Sequence, residues 1–176
     1  MPRRLHIRRA TARDANALIA FNRAMALETE RKALWPRVIG AGVRRLLGRP
    51  DSGFYSVAVI DGEVIGALMV TKEWSDWRNG DFWWIQSVYV KPEHRRRGVY
   101  RRLYSYLGEL AAKSRAVVGF RLYVEQHNHR AQATYRASGM ERTHYLVYEQ
   151  LKRGVRFFTP VAAESSRPRR KARTRR

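Results

Sequence analysis

Val90-Lys91-Pro92-Glu93-His94-Arg95-Arg96-Arg97-Gly98-Val99-Tyr100 joins an aromatic-rich alternating run, 82–90, to a stretch of helical spacing that starts near Gly98 and runs to about residue 114. Pro92 has no amide to give a β-ladder, so the strand must stop there. A series of backbone N–H groups follows, flanked by Arg95, Arg96 and Arg97, and leads into a helix N-terminus. The first amides of a helix have no acceptor within the helix and sit at its positive end. With Gly98 allowing close backbone approach, the stretch suits an anion, and a diphosphate is the natural occupant. The spacing of a Walker loop is missing, and so is the glycine triplet of a dinucleotide fold. Taken alone, the segment reads equally well as a solvated, arginine-rich turn.

Outward from this stretch, strand and helix patterns alternate. Residues 5–10 alternate as a first strand. Thr11-Ala12-Arg13-Asp14 resembles a capping box and opens a helix to about Leu27, with Ala17, Leu18, Phe21 and Met25 at helical spacing. A second helix is expected over 36–47. Strands are expected over 53–60 and 63–74, joined by the hairpin turn Asp61-Gly62. After 82–90 and the long helix come a strand over 117–124, a helix over 128–137 ending at Ser138-Gly139, and a strand over 143–151. A short strand over 155–159 follows. The fold class is therefore α/β: one domain with a mixed sheet and helices on both faces.

A second cluster lies downstream. Arg121-Leu122-Tyr123-Val124 reads as strand, and Asn128, Ala131 and Tyr135 follow on a helix. Asn128 and Tyr135 are nearly two turns apart and share a face. Taken with the phosphate-loop stretch, this order resembles the GNAT family of N-acetyltransferases. Arg95-Arg96-Arg97-Gly98-Val99 matches the first five positions of that family's pyrophosphate motif. Tyr100 departs at the sixth, where a small residue is usual, so its side chain must point away from the phosphates.

The resemblance implies acetyl-CoA as co-substrate and two central strands that splay to admit pantetheine, here 87–90 and 122–124. It also implies that Val88, Tyr89 and Val90 line the pantetheine slot, with the Val88 amide as oxyanion donor. Arg95, Arg96, Arg97, Gly98, Val99 and Tyr100 would form the diphosphate loop. Asn128 would bond the pantetheine arm, and Ala131 would leave room for it. Tyr135 would protonate the leaving thiolate. Read from the residues alone, Asn128 serves equally as a helix N-cap and Tyr135 as a packed aromatic. The strand that leads into the loop, Trp83-Trp84-Ile85-Gln86-Ser87, carries no carboxylate base.

Candidate bases and acceptor contacts come from elsewhere: Glu28 and Glu30 at the end of the first helix, Glu73 and Asp76 beside Trp77. The family layout brings both segments to one acceptor mouth. Glu73 and Glu30 are the candidates for relaying the amine's proton, and a cationic primary amine is the expected acceptor. The competing reading pairs each carboxylate with a nearby lysine or arginine. Trp83 and Trp84, adjacent on a strand, must face opposite sides.

The bulk composition bounds the rest. The chain has 176 residues, no cysteine, and 44% hydrophobic residues, enough for one domain with a real core and no disulfide or thiolate zinc site. Neither a membrane-length apolar run nor a signal-type segment is present, so a cytoplasmic protein is expected. The five histidines form no H-E-x-x-H pattern, and no metal is expected. Net charge is +21, and residues 165–176 hold seven basic and no acidic residues. Without that tail, 29 basic residues still face 15 acidic ones, leaving +14. The expected division is an acetyltransferase domain, 1–163, and a basic, disordered tail, 164–176. The tail suggests weak nucleic-acid binding, and a monomer or homodimer is expected. Two alternatives stand beside the enzyme: a nucleic-acid- or ribosome-associated protein, and a silent acyl-CoA-binding module.

Overall fold

Asp61 and Gly62 both adopt positive φ, 50° and 82°, the geometry that lets a two-residue turn match the twist of its strands. They close a hairpin between β3 (Gly53–Ile60) and β4 (Glu63–Ser75). The computed structural model describes residues 4–162; the tail lies outside the described residues. The remaining elements are β1 (His6–Arg9), α1 (Ala15–Glu30), β2 (Lys32–Leu34), α2 (Pro36–Leu47), β5 (Gly80–Val90), α3 (Val99–Ala112), β6 (Val117–Leu122), α4 (His129–Ala137) and β7 (Phe158–Pro160). The main sheet runs β1-β3-β4-β5-β6, antiparallel except for the parallel β5–β6 pair.

Each face of the sheet has its own core. Leu18, Phe21, Val43 and Leu46 of α1 and α2 pack on Tyr55, Val57, Val59 and Ala67. On the other face Val99, Leu103 and Leu107 of α3 pack on Phe54, Ala58, Ile65, Leu68, Val70, Trp83 and Ile85. Burying each such aliphatic side chain contributes about 1.5–3 kcal/mol before entropy is subtracted. At the entrance to α1, Asp14 accepts from the Thr11 amide at 2.7 Å and takes both Arg8 guanidinium nitrogens at 2.7 and 2.9 Å. The Arg8 hydrogen bonds hold its carboxyl below the usual carboxylate range.

Two features of β5 position the site. Val70 pairs with Ile85 and Met69 with Ser87, so Gln86 is one extra residue on β5. A bulge of this kind bends and twists its strand. The β5–β6 pairing ends at Ile85↔Leu122, whereas β5 stays on β4 as far as Val90. Beyond the bulge, residues 86–90 keep a partner on one side, and β6 diverges on the other.

The largest departure from expectation is at the C-terminal end. Residues 143–151 form no strand, and Tyr145, Leu146, Val147 and Tyr148 are exposed. Their β-prone composition is genuine, but a strand needs a ladder partner, and local propensity does not supply one. The short strand expected over 155–159 forms at Phe158–Pro160. It pairs with β2, a three-residue strand that no periodicity could reveal. Trp35 Nε1 donates to Thr159 Oγ1 at 3.0 Å, and the Val161 amide donates to Arg31 O at 2.8 Å, tying residues 159–161 to the α1–α2 connection. No helix among the described residues is long and apolar enough to cross a membrane.

Candidate active site

The loop from β5 to α3 leaves a run of amides without acceptors. Arg95 N donates to Pro92 O at 3.2 Å, and Arg102 N opens α3 by donating to Gly98 O at 3.1 Å. Between them, amides 96–101 find no backbone acceptor among the described residues. Arg96 and Gly98 both take left-handed φ, 63° and 75°, which turns successive N–H groups toward a common concave side. A Cβ built at Gly98 would meet only the Arg101 guanidinium, at 3.8 Å. The demand for glycine is therefore conformational, an N-cap at positive φ, and does not come from a crowded backbone.

Tyr100 contributes its amide to this first turn, but its ring turns the other way. It stacks with Tyr104 and meets Tyr135 edge-on, with centroids 5.9 Å apart in both contacts. Its hydroxyl is buried beside the Ser138 side chain, outside good hydrogen-bond geometry among the described residues. Burial first, then the neighbouring Tyr135, pushes its phenol well above the usual range. The bulky sixth residue of the motif thus becomes the floor on which Tyr135 rests. Tyr135 is itself half-buried, and burial raises its phenol too, so it stays protonated across the neutral range.

Asn128 caps α4: its Oδ1 accepts from the Ala131 amide at 3.0 Å. That is the helix-capping role, and it leaves the side-chain N–H₂ for a ligand to accept from. Val88 and Val90 turn their side chains toward the α3 core, and Tyr89 turns toward α1. On that α1 face, Phe21, Asn22, Met25, Tyr55, Ala67, Ser87 and Tyr89 line a narrow cleft beside the splayed part of β5. Asn22 and Tyr55 were not among the sequence candidates, because a helical Asn and a strand Tyr carry no signal until α1 is docked on β3.

Each carboxylate of the acceptor group already has a partner. Glu73 Oε1 accepts from Arg121 at 2.5 Å, and Oε2 accepts from Trp84 Nε1. Glu30 accepts from Lys32 at 2.5 Å. Asp76 accepts from the amide of Trp77 at 2.8 Å. Glu28 Oε2 accepts from Arg95 Nη2 at 2.7 Å and Oε1 from the Tyr89 hydroxyl at 3.3 Å. Glu28 and Glu73 do not share a mouth. Glu73 lies opposite Phe82 in the ladder, and Glu28 reaches Tyr89, seven positions further along the same strand, roughly 20 Å at the usual rise. Trp83 is buried in the α3 core while Trp84 lies on the other face against Tyr123, centroids 4.4 Å apart. Trp74 and Trp77 are exposed.

A strand that diverges after a bulge, followed by an amide-lined turn into a helix, is a recognisable arrangement, and residues 18–140 match the family model described as Acetyltransferase (GNAT) family. The chain belongs to the GNAT family of acetyltransferases. It is accordingly an N-acetyltransferase. No curated protein matches its sequence. Among solved structures it resembles a possible acetyltransferase from Clostridium difficile 630 at 42% identity and a TM-score of 0.79, covering 84% of this chain and 97% of that one. Its fold also resembles an aminoglycoside N-acetyltransferase, AAC(6')-Iy, in complex with CoA (15% identity, TM-score 0.71, 86% and 97% covered). A ribosomal-protein-alanine N-acetyltransferase from Brucella melitensis biovar Abortus 2308 shares it as well (15%, 0.66, 85% and 100%). At that identity the last two share an architecture with this chain, and a shared fold does not carry a shared acceptor.

Proposed function

We propose that this GNAT protein transfers an acetyl group from acetyl-CoA directly to a cationic primary amine, without a covalent enzyme intermediate. The observation that carries the reading is the end of β5–β6 pairing at Ile85↔Leu122, which leaves residues 86–90 with an open edge leading to the unpaired amides 96–101. An open strand edge suits the amide-bearing arm of pantetheine, and the amide turn suits a diphosphate. Both ends of acetyl-CoA therefore have a place to fit. Bound there, it supplies an activated thioester for attack by a neutral amine.

The protein's own contributions follow from placement. Amides 96–101 and the arginines beside them hold the diphosphate. The backbone N–H of Val88, on the open stretch, faces the carbonyl oxygen as negative charge develops, where a pre-aimed donor acts most strongly. Tyr135, kept protonated by burial, gives its proton to the leaving sulfur. The amine's own proton leaves through water, because Glu73 has both oxygens engaged and Glu30 holds Lys32. The carboxylates at the end of α1 draw the ammonium form toward the α1-face cleft. The setting is cytoplasmic, where acetyl-CoA and reduced thiols coexist.

The test is a screen with acetyl-CoA, reading free thiol across simple amines, amino acids, aminoglycosides and peptides. Release with at least one cationic amine, and none with anionic amines, is the expected outcome. Measurable CoA binding without turnover on any acceptor would make the protein an acyl-CoA-binding module instead.

A further inference from the structure

Glu28 and Arg95 were expected to serve different ligands, an acceptor and a diphosphate, yet the structure joins them. Arg95 Nε donates to Val90 O at 2.8 Å, which pins the guanidinium at the mouth of the phosphate loop. Its Nη2 donates to Glu28 Oε2 at 2.7 Å. The carboxylate's other oxygen accepts from the Tyr89 hydroxyl at 3.3 Å. Glu28 lies in the last turn of α1, and Tyr89 belongs to the open stretch of β5 beside the α1-face cleft. A single carboxylate therefore bridges the phosphate loop and the acceptor side.

From this juxtaposition we infer that Glu28 is an internal counter-ion that a diphosphate displaces from Arg95, so that loading CoA releases a carboxylate toward the amine site. The inference rests on the enzyme reading above and adds a coupling between its two sites. The exchange is physically easy. Both side chains are about 40% exposed, and an ion pair in that setting holds weakly. A diphosphate carries more charge than a carboxylate and makes stronger charge-assisted bonds to a guanidinium. Nε stays on Val90 O, so Arg95 need not leave the loop; only its outer nitrogens change partner. The arriving phosphates repel Glu28. The Tyr89 hydroxyl, held protonated by burial and by the charge of Glu28, keeps the carboxylate on the acceptor side. A cationic amine then meets one more negative charge than it would in the unloaded enzyme. Thermodynamic reciprocity requires that the amine favour CoA binding to the same degree.

The experiment is a set of CoA titrations by calorimetry on the full chain, Glu28→Gln, Arg95→Gln and the double variant, with spermidine as the cationic amine probe. Removing the competitor should tighten CoA at least threefold in Glu28→Gln. Arg95→Gln should weaken it at least threefold, and Glu28→Gln should give no gain on that background. The parent should bind spermidine at least threefold more tightly with saturating CoA than without, and Glu28→Gln should lose most of that ratio. Weaker CoA binding in Glu28→Gln would show that Glu28 braces Arg95 for the phosphates, and unchanged binding would show that the two do not compete; either result overturns the exchange. An undiminished spermidine ratio in that variant would overturn the release. Failure of the parent to bind CoA at all would count against the enzyme reading itself.

Discussion

The two sides of the site are made of different material. The phosphate side relies on backbone amides, 96–101, presented by left-handed Arg96 and Gly98 at the head of α3. The carboxylates expected on the acceptor side are instead side chains already paired: Glu28 on Arg95, Glu30 on Lys32, Glu73 on Arg121 and Trp84, Asp76 on its neighbour's amide. The contrast follows from composition. With 36 basic residues against 15 acidic ones, an exposed carboxylate readily finds a cation, as Glu28, Glu30 and Glu73 do. Backbone amides at a helix start cannot rotate away and have no acceptor to find. In so basic a chain, an anion site built from backbone is available from the outset. A cation site built from side chains has to be released.

The largest effect that would sharpen this contrast is on Tyr135, the one side chain on the thioester side asked to do chemistry. Tyr135→Phe should lower kcat about 10²-fold, about 2.7 kcal/mol, with CoA affinity unchanged, since the ring keeps its edge contact with Tyr100. Equal turnover in variant and parent would reduce Tyr135 to a packing residue.

Asp14 is a carboxylate whose partner is structural, and it calibrates the acceptor group. Asp14→Asn should cost about 2 kcal/mol near neutral pH, measured by urea unfolding. Its folded-state pKa is depressed by Arg8. The stabilisation is therefore fully present above the ordinary carboxyl value, about 3.9, and lost as pH falls through the lower folded value. Parent and variant should converge there. A pH-independent difference would mean that the cost comes from fitting the amide group into the site rather than from the lost charge.

Gly98→Val tests the backbone side directly. A β-branched residue resists the left-handed φ of 75°, so the amide turn should distort and CoA binding should weaken about tenfold, about 1.4 kcal/mol. Unchanged affinity in a folded variant would remove the loop from the binding site.

The smallest effect is expected at Glu73. Both its oxygens are engaged and it lies far along β5 from Glu28, so Glu73→Gln should change kcat/KM less than threefold, about 0.65 kcal/mol, and leave the pH optimum in place. A large fall with an optimum moved upward would restore Glu73 as the base.

Local periodicity and backbone restriction account for much of the fold. The hairpin at Asp61-Gly62, the helix over Pro36–Leu47, the strand stop at Pro92 and the amide-rich start of α3 each follow from a few neighbouring residues. So did the opposite facing of Trp83 and Trp84, which is a matter of pleat alone. Tertiary structure decided everything that depends on which element finds a partner. Residues 143–151 have strand composition and no ladder, while Lys32–Leu34 has no pattern and pairs with Phe158–Pro160. The bulge at Gln86 exists only because β4 is one residue shorter opposite it. The arginine partners of Glu28 and Glu73 lie 67 and 48 positions away in the chain. No local rule reaches that far, because a long-range ion pair is chosen by the packing of α1 on the sheet and the pairing of β6 with β5, after the backbone has settled.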